Sequence, residues 1–124
     1  MVRIKALDEP RFVRSRKKEQ AMKATFIKEI PQIRGGICQK LYRVDPPMTL
    51  EQWDYDEDVE TNIAFDYVVV SAAQVIMVGP ETYIFGADEE GMIVNWSELE
   101  GSFKGALDHE RALHNAGYEV EYVD

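Results

Sequence analysis

The 124-residue sequence predicts an α+β fold in one domain: an antiparallel sheet of four or five strands with helices packed on one face. Three observations predict it. Residues 63–85 are the most apolar and β-prone part of the chain, and Gly79-Pro80 divides them into two central strands. Apolar and polar residues alternate over 37–44 and again over 118–122, as half-buried strands require. Helix formers with apolar residues at helical spacing fill 11–29 and 107–116.

Taken in order, residues 1–7 alternate apolar and basic (Val2, Arg3, Ile4, Lys5, Ala6) and read as a short edge strand whose lysine discourages further pairing. Asp8 and Pro10 supply a helix cap and first turn. Over 11–29, Met22, Phe26 and Ile30 recur on one helical face, and Pro31 ends the run. Gly35 and Gly36 make a turn into the strand at 37–44, which Asp45-Pro46-Pro47 stops. Thr49-Leu50-Glu51-Gln52 matches a capping box and predicts a helical turn through Trp53. Residues 54–60 form an acidic loop before the central strands, whose Val68, Val70, Ile76, Tyr83 and Ile84 are assigned to packing. The second central strand runs into Asp88-Glu89-Glu90-Gly91, a turn with glycine where φ is positive. A short strand at 92–94 follows, and Asn95-Trp96-Ser97-Glu98 reads as another helix cap. After a loop at 101–105, the helix at 107–116 turns Leu107, Leu113 and Ala116 inward, and Gly117 takes its left-handed C-terminal position. A strand at 118–122 closes the chain.

The hydrophobic content of 45% is that of a globular chain. There is no apolar run of about 18 residues to span a bilayer, and the N-terminus lacks the apolar core of a secretory signal. Cys38, the sole cysteine, leaves no internal disulfide, which fits a reducing cytoplasm. The net charge of −9 conceals a division. Residues 1–44, read as a basic helix and first strand, hold 12 Lys and Arg against 4 Asp and Glu, net +8. Residues 45–124, read as an acidic sheet with a C-terminal helix and strand, hold 2 against 19, net −17. Either the halves neutralise each other by packing, or they present a bipolar surface that steers partners.

Motifs for chemistry fail on inspection. Asp54, Asp56 and Asp58 occupy positions 1, 3 and 5 of a calcium loop, but Val59 stands where glycine is needed and Phe65 where a bidentate glutamate belongs. His109 and His114 are five apart, not the four that places two ligands on one helical face. Ser71, Ser97 and Ser102 lack a nucleophile elbow, Cys38 has no partner that spacing indicates, and neither glycine pair has the order of a phosphate loop. The chain is therefore read as non-enzymatic, with no catalytic residue, metal or cofactor.

Binding is the remaining chemistry. One reading gives the acidic side chains Asp54, Asp56, Glu57, Asp58 and Glu60, with Asp88, Glu89 and Glu90, to a protein partner that has a basic, nucleic-acid-binding groove. The alternative is a small regulator that holds nucleic acid directly on a basic helix at 11–29, through Arg14, Arg16, Lys17, Lys18 and Lys23.

Three stretches carry a resemblance: Tyr67-Val-Val-Val-Ser-Ala-Ala, Gly79-Pro-Glu-Thr-Tyr-Ile-Phe, and Leu107-Asp-His-Glu with Ala116-Gly-Tyr-Glu-Val. Together they resemble small proteins encoded by bacteriophages and prophages of actinobacterial hosts. The resemblance covers the second half of the chain and implies no catalytic residues. It implies a protein acting in the cytoplasm of an infected or lysogenic bacterium. Binding and blocking a host protein, as antidefence and anti-CRISPR inhibitors do, is the activity that follows from it.

Overall fold

The computed structural model describes residues 22–31 and 36–123. The strand expected at residues 1–7, the helix cap at Asp8, and Arg14, Arg16, Lys17 and Lys18 lie outside them. The described chain is built on a seven-stranded mixed sheet. Its strands are β1 (Lys23–Ile30), β2 (Ile37–Asp54), β3 (Val59–Val75), β4 (Gly79–Ala87), β5 (Ile93–Asn95), β6 (Phe103–Lys104) and β7 (Glu119–Tyr122), with one short helix, α1 (His109–Asn115). The order across the sheet is β5-β4-β3-β2-β1-β7, and β6 joins β4. All pairs are antiparallel except β1 with β7, which is parallel.

This corrects the α+β expectation of four or five antiparallel strands under packed helices, and three local readings fall with it. Residues 23–29, expected in the basic helix, form β1. The spacing of four shared by Met22 and Phe26 is also a multiple of the strand period, and Ala24 between them is fully buried. A register shift between Phe26 and Lys28 then moves Ile30 to the opposite face, against Leu41. The capping-box residues of 49–52 lie in β2, where Met48 and Leu50 stand opposite Phe65 and Ile63. Long-range apolar pairing there outweighs a local cap. Asn95 starts no helix; its Oδ1 accepts from the Ser97 amide at 2.9 Å, while the Leu99 amide bonds the Ile84 carbonyl. Ile76, assigned to packing, sits in the β3–β4 turn and is 87% exposed.

The first face of the sheet carries the main core. Tyr42, Val44, Val68, Val70 and Ile84 pack there with Leu99, Ala112, Leu113 and Tyr118. α1 begins at Asp108, whose side chain accepts from the Arg111 amide, and ends at Gly117 with φ +97. The Gly117 and Tyr118 amides bond the His114 and Leu113 carbonyls, a Schellman closure that turns the chain into β7. Thr82, fully buried, donates to the Ala106 carbonyl and accepts from the Asp108 amide, tying the helix start to β4. The second face holds a smaller cluster, Leu41, Val69 and Ala87, flanked by Ile30, Tyr67 and Ile93.

Candidate functional site: an acidic arm

β1 pairs with β2 only as far as Asp45, and β4 with β3 only as far as Tyr67. Beyond these points β2 and β3 continue together through seven further pairs, from Met48 opposite Phe65 to Asp54 opposite Val59. The result is a two-stranded arm roughly 20 Å long at a rise of about 3.4 Å per residue. At its root the register slips between Arg43 and Met48. Pro46 and Pro47, which have no amide to donate, lie within that irregularity. The hydroxyl of Tyr118 donates to the Pro46 carbonyl and pins it.

An isolated two-stranded ribbon is marginal in water, so the arm needs anchoring. Its Met48, Leu50, Ile63 and Phe65 join the main core. Phe65 lies over Gly86, where a Cβ would stand 2.4 Å from its ring. Farther out, the Asn95 side-chain amide donates to Gln52 Oε1 at 3.4 Å, linking the arm to β5. The outer part is left to solvent. Residues 51–60 contain Glu51, Asp54, Asp56, Glu57, Asp58 and Glu60 and no Lys or Arg. Trp53 and Val59 are about half exposed, and Tyr55 is 86% exposed.

The eight acidic candidates therefore divide by role. Asp54 Oδ1 accepts from the Asp56 and Glu57 amides and closes the tip. Asp88 Oδ1 accepts from the Glu90 and Met92 amides and closes the β4–β5 turn. Asp56, Glu57, Asp58 and Glu60 are exposed on the arm, and Glu89 and Glu90 are exposed on the β4–β5 turn. The two groups thus belong to separate segments, linked through Gln52 and Asn95. Reasoning from sequence missed the aromatic residues among these charges: it placed Trp53 in a helical turn and Trp96 in a helix cap. The period-two placement of the apolar Met48 and Leu50 between polar residues was the available signal.

Lys23, the one described residue of the basic nucleic-acid set, pairs with Glu121 at 2.6 Å. A hydrogen bond to that carboxylate, and its charge, raise the ammonium pKa. Residues 23–30 form a strand and not the expected helix, while residues 11–21 of that segment lie outside the described residues.

Cys38 and His109, which sequence spacing does not connect, line one cavity of about 300 Å3 with Leu107 and Gln74. His109 Nε2–H donates to the Cys38 carbonyl at 2.9 Å. Burial pushes the Cys38 thiol up and the His109 imidazole down. Both shifts favour the neutral pair, whereas nucleophilic catalysis needs a thiolate. Ser102 is similarly committed, donating to the Leu99 carbonyl and accepting from the Ile84 amide. Among the described residues, no group of three His, Cys, Asp or Glu side chains is placed to hold a metal ion. Nor is any helix among them long and apolar enough to cross a membrane.

The lowered His109 pKa has a pH signature. The unfolded chain takes up this proton near pH 6.5, before the folded chain does. The histidine therefore withdraws stability as pH falls from about 6.5 to its lower folded value, and nothing further below that. Urea midpoints compared between about pH 7.5 and 5.5 should fall less for His109→Gln than for the native chain. Equal falls would remove His109 from the account.

No family model, curated protein or solved structure matches the chain.

Proposed function

We propose that this chain is a non-enzymatic binding protein that inhibits or modulates a host protein by presenting the β2–β3 arm to a basic, nucleic-acid-binding groove. The observation that carries this is the arm itself: a projecting ribbon whose outer ten residues hold six carboxylates and no cation. A strand rises about 3.4 Å per residue, close to the rise per phosphate of one DNA strand. The four outer pairs, from Glu51 with Asn62 to Asp54 with Val59, span about 10 Å, and the turn at 55–58 that closes them carries three of the six carboxylates; about 10 Å of duplex carries roughly six charges. A groove shaped to hold phosphates meets a similar density of negative charge, and the exposed aromatic side chains add apolar area. The resemblance to phage-encoded proteins is the reason for taking the target to be a host protein.

The test reverses charge without touching the residues that close turns. A chain carrying Asp56→Lys, Glu57→Lys, Asp58→Lys and Glu60→Lys keeps Asp54 and Asp88. Wild type is expected to capture a nucleic-acid-binding protein from a bacterial lysate. The reversed chain, with an unchanged circular-dichroism spectrum, is expected to lose it. Equal recovery by both chains would contradict the proposal.

A further inference from the structure

The second face of the sheet carries a groove that the arm does not use. The β4–β5 turn folds back over this face, and Gly91, with φ +96, sets its backbone against Ile30 and Leu41. Behind it opens a cavity of about 430 Å3, walled by Met92, Ile93 and Trp96, with Asp88 and Glu90 also lining it. Trp96 is 69% exposed and Met92 68% exposed, so two large apolar side chains on one segment are left to solvent. Trp96 is nonetheless held in place. Its ring lies 5.2 Å from that of Phe85, which lies 6.2 Å from that of Tyr83, so the indole is the end of an aromatic file rooted in β4.

An anchored indole, a thioether and an aliphatic side chain beside carboxylates define a chemistry. The apolar wall suits the methylene stem of a long side chain. The indole face attracts a cation, and a planar guanidinium stacks on it better than an ammonium does. Asp88, Glu89 and Glu90 give the turn three negative charges in succession. We infer that this groove takes an arginine side chain of a basic protein partner, as a contact separate from the arm. The inference rests on the reading of the chain as a binder of basic protein surfaces.

The chain has two tryptophans, so Trp53→Phe leaves Trp96 as the only indole reporter. Blocked hexa-arginine added to that variant is expected to change Trp96 emission saturably, with hexa-lysine binding more weakly. Glu90→Gln, which removes one carboxylate that lines the groove, is expected to weaken hexa-arginine binding roughly threefold. No saturable response, an equal response to hexa-lysine, or an unchanged response in the Gln variant would overturn the inference. A change in Trp96 emission with protein concentration alone would assign the groove to a second copy of the chain and overturn it as well. The two readings fail separately. A chain with its arm reversed that still responds to hexa-arginine supports the groove while the arm is tested elsewhere. A Trp96→Ala chain that captures the partner at full strength overturns the groove and leaves the arm standing.

Discussion

Gly101→Ala is expected to destabilise the fold by about 3–5 kcal/mol, a large share of the roughly 5–15 kcal/mol of a typical domain. Two effects add. Gly101 has φ +108, a conformation that an L side chain rarely adopts. A Cβ there would also stand 2.3 Å from the Ala112 carbonyl oxygen, 3.0 Å from Ala116 Cβ and 3.1 Å from Ile84 Cδ1. The first of these is backbone of α1 and cannot rotate away. The helix would have to lift from β4, opening the main core. Gly105 supplies the control: its φ is +110, but a Cβ there meets nothing within 4 Å. Urea unfolding of Gly101→Ala and Gly105→Ala should therefore differ by the clash alone, with Gly101→Ala much the less stable. Equal midpoints would mean that α1 does not press on this loop.

Leu113→Ala is expected to cost about 2–5 kcal/mol, as the removal of a fully buried leucine does when its surroundings cannot collapse. Leu113 is fully buried, and α1 contributes only it and Ala112 as buried residues to the first face of the sheet. Such a short helix has little stability of its own, so its docking depends on that side chain. Leu107, just before the helix, is half exposed, and Leu107→Ala should stay within about 0.5 kcal/mol of native. Thermal unfolding that ranks the two alike would move the core away from the α1–sheet interface.

The central strands were legible because their apolar run is long and β-branched and its break is marked by glycine and proline. β3 and β4 cover that run, although β3 starts earlier, at Val59 within the stretch expected as an acidic loop, and the turn falls at 76–78 instead of at the glycine itself. The end of α1 was legible for a local reason: only glycine takes the conformation of residue 117 cheaply. β1 was not legible, because Met22, Ala24, Phe26 and Ile30 satisfy two periods until a bulge is known. Its pairing with β7, nearly a hundred residues later, leaves no local trace. The arm failed for a similar reason. Asp45-Pro46-Pro47 stops an ordinary ladder, but here it lies in a register shift that β2 crosses. The carboxylates of the candidate site could be read as charge, yet not as a projecting ribbon. Nor could sequence show that Asp54 and Asp88 spend an oxygen closing their own turns.

Competition with nucleic acid tests the central claim most directly. The partner captured by wild type is held at fixed concentration and titrated with its nucleic acid while bound chain is measured. If the arm occupies the phosphate groove, oligonucleotide displaces the chain in proportion to its own affinity, and added salt weakens both complexes together. A ternary complex, with chain and nucleic acid bound at once and neither affinity changed, would contradict the account.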